Sequence, residues 1–325
     1  MWHTLRLGKG DNIMYTIGSV IKNEREKRGI SQEELCFGIC AVSTLSRIEH
    51  SEQTPSMEKA MALLDRLGLE GSAYLSFVSN EEYEFYKISR NVAELLAQRQ
   101  YLKAYEYVND NKKLMDKNKF RRQLSQAVEA VKACFTDRQY ETAISMTEEA
   151  IRYTCPQFDK SKKIRFFMTD MEVNVINVMA VSYWRNGERI TALNLMINLT
   201  DALREQYSTV GVSSIRYPML LCNLAKWLNE QLRFEEAEEY IRLGREVCIK
   251  SGKLRMLPYL CCCRASALQG MKHDEEEIIR EYISAYIMFK NMGIDEDAAK
   301  LRSCLLKFYN RDLECIGMPE LNSPT

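Results

Sequence analysis

The chain has 325 residues, with 45 Lys+Arg matched by 45 Asp+Glu, so no net basic charge advertises a polyanionic partner and any nucleic-acid contact must come from local geometry. Six prolines and fourteen glycines among plentiful Leu, Glu, Ala, Lys, Arg and Met describe a mostly helical protein. No apolar run approaches the roughly 20 residues that cross a bilayer, and no signal-peptide core opens the chain, which predicts a cytoplasmic protein without membrane contact. The eleven cysteines lie inside apolar helical patterns and lack C-x-x-C pairing, so they read as small buried hydrophobes of a reducing compartment.

Residues 1–13 show no periodicity and read as a disordered lead-in. From Ile17 the apolar stripe Ile17, Val20 and Ile21 opposes Lys22, Glu24, Glu26 and Lys27, which predicts a helix ended by Gly29. Ser31-Gln32-Glu33-Glu34 is a capping box that opens a second helix. Gly38 and a short apolar stretch make a turn, and Ser43 is placed to cap a third helix, Thr44 to His50. Leu45 and Ile48 point inward there, while Ser43, Thr44 and Arg47 point out. A short helix with a polar outer face after a tight turn has the geometry of a recognition helix. Pro55 begins a fourth element whose stripe is Met57, Met61, Leu64 and Leu67, and Gly68 stops it.

These residues together, with Arg25 four before Gly29, Ser46-Arg47-Ile48-Glu49 and Leu67-Gly68-Leu69, resemble the DNA-binding domain of the phage-repressor and Cro class, the XRE family. The resemblance implies a helix-turn-helix domain over 14–72 that binds double-stranded DNA. It implies an ion pair between Arg25 and Glu49, a phosphate contact by Gln32, and base-reading positions at Val42, Ser43 and Arg47, with Thr44 and His50 completing the candidate DNA contacts. Val42 and Ser43 are poor hydrogen-bonding readers, so Arg47 is the expected guanine reader. Ser51 stands where the family usually has glycine. Seven cations (Lys22, Arg25, Lys27, Arg28, Arg47, Lys59, Arg66) face nine carboxylates between Ile17 and Glu70, which predicts modest nonspecific DNA affinity.

Beyond this module, over 73–310, helical stretches recur in pairs. A frame of small residues repeats from starts at 89, 128, 177, 222 and 261, at spacings of 39, 49, 45 and 39. Its clearest copy is Asn177, Met179, Ala180, Tyr183, Gly187 and Ala192. Small residues belong where the two helices of a hairpin approach closely. The frame resembles the tetratricopeptide repeat with extended helices. Asp295 to Tyr309 reads as a capping helix and 311–325 as a tail. The expected fold is all-α: a helix-turn-helix domain followed by a right-handed α-solenoid of tetratricopeptide-like hairpins.

That combination resembles the RRNPP peptide-sensing regulators of Gram-positive bacteria, which implies a DNA-binding transcription regulator whose repeats sense a short signalling peptide and mediate homodimerisation, with no cofactor. The repeat rule applied to the first helix of each hairpin selects Lys132, then Asn174, Asn177, Trp184 and Arg185, then Cys222, Lys226 and Asn229 as peptide contacts. Asn side chains both donate to and accept from a peptide backbone, and the cations suit a carboxylate. A competing reading is a helical-repeat scaffold that grips a partner protein, with DNA binding secondary. A third is a regulator that responds to oxidation through the run Cys261 to Cys263. An enzyme is not expected: His3, His50 and His273 are far apart, and no H-E-x-x-H, phosphate loop or G-x-S-x-G occurs. No metal site is expected either, since the acidic run Asp274 to Glu277 reads as a helix start.

Overall fold

A computed structural model describes residues 16–69, 80–210 and 216–310, and every described element is helical. The lead-in expected over 1–13, the junction near 72 and the tail over 311–325 lie outside the described residues. The chain divides into two compact units, Met1–Ser213 and Ser214–Thr325.

The first unit opens with four short helices, α1 (Ile17–Lys27), α2 (Gln32–Cys36), α3 (Val42–Glu49) and α4 (Met57–Arg66). Thr16 caps α1, and its C-terminus is released by Gly29 at φ +67°. Ser31 and Glu34 form the reciprocal capping box of α2, with the Ser31 amide donating to Glu34 Oε2 at 2.8 Å. Ile21, Leu35, Leu45, Ile48, Leu63, Leu64 and Leu67 are fully buried, which makes these helices one small core. Close approach of α1 to α3 depends on Gly18, where a Cβ would stand 1.8 Å from the Ile48 carbonyl oxygen.

One local expectation is corrected. Ser43 does not cap α3, because the chain turns helical earlier: Ala41 is the extended cap residue and its carbonyl accepts from the amides of Thr44 and Leu45. Ser43 lies inside the first turn with its side chain exposed.

The unit continues through α5 (Asn80–Ala97), α6 (Tyr101–Asp110), the single turn α7 (Lys112–Met115), α8 (Lys119–Lys132), α9 (Tyr140–Arg152), α10 (Asp170–Arg185) and α11 (Arg189–Val210). Helices α5/α6, α8/α9 and α10/α11 pack as hairpins, and α8 also packs on α6 and α10. A π-helical turn, Ala133–Asp137, ends α8, with Arg138 at φ +58°. The second unit holds α12 (Tyr217–Glu230), α13 (Phe234–Ser251), α14 (Leu257–Gly270), α15 (Glu275–Asn291) and α16 (Asp295–Tyr309). Its helices pack in succession, and α14 also meets α12.

The alanines of the repeat frame are buried, whereas Gly187 is exposed, with open space where a Cβ would stand. Ala104, Ala130, Ala143, Ala180, Ala192, Ala225, Ala237 and Ala267 are all fully buried. At Gly244 on α13 an added Cβ would meet the Leu260 side chain at 2.9 Å. The acidic residues Glu275, Glu276 and Glu277 form the first turn of α15, where they complement the helix dipole.

Candidate nucleic-acid interface

Helix α3 presents a wet face and hides a charged one. Val42, Ser43, Arg47 and His50 are exposed and Thr44 is half-exposed, so these side chains form the outer surface of the module. His50 donates from Nδ1 to the Ser46 carbonyl at 2.8 Å, since a carbonyl oxygen only accepts, and this ties the residue to the end of the helix.

Glu49 ends α3 on its inner side with a fully buried carboxylate. Arg25 on α1 reaches it twice, Nε to Oε1 at 2.6 Å and Nη2 to Oε2 at 2.9 Å, and donates a third bond to the Ile30 carbonyl at 2.9 Å. Gln32 on α2 donates its amide to Glu49 Oε2 at 2.6 Å. One carboxylate thus ties together α1, α2 and α3. Burial works against its ionisation, but the bonds from Arg25 and Gln32 outweigh burial and hold it below the ordinary carboxylate range. Gln32 is half-buried, and its amide nitrogen carries a second hydrogen that a phosphate could accept. Ser51, just beyond α3, takes φ +61°, the left-handed conformation that suits glycine, and its hydroxyl lies 2.6 Å from that of Thr16.

Sequence reasoning missed how this module meets the repeats of its own unit. Glu58 on α4 pairs with Arg121 on α8 at 2.6 Å, both side chains almost wholly buried, and Asn118 donates to the same carboxylate. Arg66 on α4 and Glu172 on α10 form a second pair at 3.4 Å, with no exposed side-chain surface on either partner. Arg66 also donates to the carbonyls of Leu35 and Phe37, and Glu172 accepts from the Thr169 amide and the Cys155 thiol. Lys119 donates to the Gly38 carbonyl at 2.6 Å, and burial lowers its pKa. Gly38 sits at φ +66° with the Thr154 carbonyl only 1.7 Å from where a Cβ would be. Long-range pairing of residues 63 and 106 positions apart leaves no periodic trace in a sequence, so no local signal identified it.

The expected peptide contacts fare unevenly. In the first unit, Asn174, Asn177 and Trp184 are half-buried on α10, and the Arg189 guanidinium lies over the Trp184 ring at 4.6 Å. Arg185 is exposed and stacks over Phe135 at 4.4 Å, while Lys132 pairs with Asp137 at 2.6 Å and lies 5.0 Å from the Tyr105 ring centroid. In the second unit Lys226 is exposed. Cys222 and Asn229, expected on a ligand-facing wall, are instead only 8% and 7% exposed. Cys222 packs with Cys248 and Leu260, and Asn229 donates to the Cys263 carbonyl at 2.9 Å. The repeat rule put them outward, but α14 closes over that part of α12.

Residues 21–73 match the helix-turn-helix family. The chain carries a DNA-binding helix-turn-helix domain of the XRE type at its N-terminus. No curated protein matches the chain by sequence. Among solved structures, the chain is similar to Bacillus thuringiensis PlcR in complex with the peptide PapR7 and DNA, with TM-score 0.60 and 20% identity over 88% of this chain and 98% of that one. It is also similar to PlcR in its apo form, with TM-score 0.57 and 19% identity over 88% of this chain and 97% of that one. The fold is therefore that of a helix-turn-helix domain joined to helical repeats. No described helix is long and apolar enough to cross a membrane.

Proposed function

We propose that this chain is a sequence-specific transcription regulator that binds double-stranded DNA as a homodimer and takes a short signalling peptide on its helical repeats. The observation that carries the DNA half is helix α3: its outer face is free of the core, and its inner end is locked by the Arg25, Gln32 and Glu49 cluster. Arg47 is then the base reader, bidentate to guanine, and Gln32 a phosphate anchor. A module of this size makes a small interface, so two copies on half-sites about 34–36 Å apart supply the affinity. The peptide half is supported by the fold shared with a protein solved with both peptide and DNA. We assign the peptide to Asn174, Asn177, Trp184, Arg185 and Lys132 of the first unit.

Competition binding tests the DNA half. Arg47→Ala should flatten sequence preference by roughly 1–3 kcal/mol, while Gln32→Ala weakens all sites alike. An unchanged preferred sequence in Arg47→Ala would remove α3 from the groove. Calorimetry against short peptides from the culture medium tests the other half: a peptide that shifts DNA binding and loses affinity in Asn177→Ala supports it. A culture with no such peptide, together with capture of a partner protein by the repeats, would replace peptide sensing with the scaffold reading.

A further inference from the structure

The second unit holds a pair of thiols, Cys222 and Cys263, that lie outside the DNA and peptide contacts proposed above. Cys222 on α12 and Cys263 on α14 bring their sulfurs to 3.8 Å. A disulfide bond is about 2.05 Å long, so closure requires the sulfurs to approach by less than about 2 Å. The two residues lie on the first helices of successive hairpins, 41 positions apart. Cys222 is buried and Cys263 half-buried.

We propose that Cys222 and Cys263 form a disulfide that staples α12 to α14, with hydrogen peroxide as the oxidant.

The surroundings divide the chemistry between the two sulfurs. Either sulfur can donate in the contact between them; with Cys222 as the donor, that bond and the charge of nearby Lys226 lower the Cys263 pKa against the effect of burial. The same contact and burial push the Cys222 thiol up, so it stays protonated. Cys263 is therefore the nucleophile and Cys222 the resolving thiol. The Cys263 thiolate attacks one peroxide oxygen, the O–O bond breaks, and hydroxide leaves and becomes water on taking up a proton. The sulfenic acid left on Cys263 is attacked by the Cys222 sulfur, the S–O bond breaks, and the departing hydroxide takes the Cys222 proton as a second water. Two thiols are oxidised and one peroxide is reduced. The neighbouring thiols are poor competitors: burial pushes Cys261 up to about 12, and burial and the adjacent sulfurs push Cys262 higher still. Asn229, farther along α12, already donates to the Cys263 carbonyl, so the staple would form across a contact that is in place beforehand.

The test uses the reduced full chain, freed of reductant and treated with a small excess of hydrogen peroxide. Remaining thiols are alkylated under denaturing conditions and the products digested with trypsin. Residues 217–226 and 256–264 then fall in separate peptides. The expected product is these two peptides joined, about 2 Da lighter than their reduced sum, separated by dithiothreitol, and assigned by fragmentation to Cys222 and Cys263. Cys262→Ala should leave that product unchanged, and Cys263→Ala should abolish it and leave Cys222 alkylated. The wild-type digest decides the matter even if a variant fails to fold. Alkylation of both Cys222 and Cys263 after peroxide, overoxidation of Cys263 without a cross-link, or a dominant disulfide through Cys262 or a second chain would each overturn the proposal.

Discussion

Replacing Glu49 by Gln changes one atom of a fully buried side chain that accepts three hydrogen bonds, at 2.6, 2.9 and 2.6 Å. A charge pair with centres about 4 Å apart attracts by roughly 4 kcal/mol at an effective dielectric of about 20. The amide loses that attraction and turns an NH2 group toward either the Arg25 or the Gln32 donors. Relief from burying an anion offsets part of the loss. Arg25 keeps its bond to the Ile30 carbonyl and its 3.5 Å contact with the exposed Glu26, but loses its buried counter-charge. The net cost is about 3 kcal/mol. Amide hydrogen exchange across α1 and α3 in the full chain reads this as opening of the module, and exchange there should accelerate roughly 100-fold. Arg25→Met together with Glu49→Leu should recover most of the loss, because an apolar pair needs no counter-charge. Exchange in Glu49→Gln within about threefold of the parent would refute the account of how α3 is held.

Gly18→Ala forces α1 away from α3, because the new Cβ would overlap the Ile48 carbonyl oxygen at 1.8 Å; a loss of about 2–3 kcal/mol in denaturant unfolding and weakened DNA binding are expected. Ser51→Gly relieves the φ +61° strain but gives up the contact with Thr16, so a net gain of about 0.5–1 kcal/mol in the same assay is expected, and a loss would show that the hydroxyl contact matters more. Stability should also depend on acid. Glu49 and Glu58 are held below their ordinary value of 4.5, in each case because hydrogen bonds, from Arg25 and from Arg121 among others, outweigh the opposing effect of burial. Both therefore stabilise the fold fully above about pH 4.5, and that contribution is lost as pH falls through their lower folded values; urea midpoints measured between pH 7 and pH 3 should fall, and fall less in Glu49→Gln.

The sequence alone was enough to place α1, α2 and α4 and to show that helical hairpins follow. Those features are local: a capping box at Ser31, a glycine stop at Gly29, apolar stripes at helical spacing and small residues wherever two helices touch. Helix α3 was legible by its inward Leu45 and Ile48, but its start was not. Ala41 has no side-chain cap, and a backbone that turns helical without one leaves no residue signature. The inward or outward aim of the second unit's α12 residues was also not legible. Cys222 and Asn229 have outward spacing on their own helix, and only the packing of α14 against α12 buries them. The clamps Glu58–Arg121 and Arg66–Glu172 were out of reach for the same reason, since each joins residues far apart in the chain. Periodicity and capping are decided by neighbours within a few residues, so the sequence determines which segments are helical and which stripe is apolar. Burial of a charge or a thiol is decided by whichever helix comes to lie over it, and that belongs to the tertiary structure.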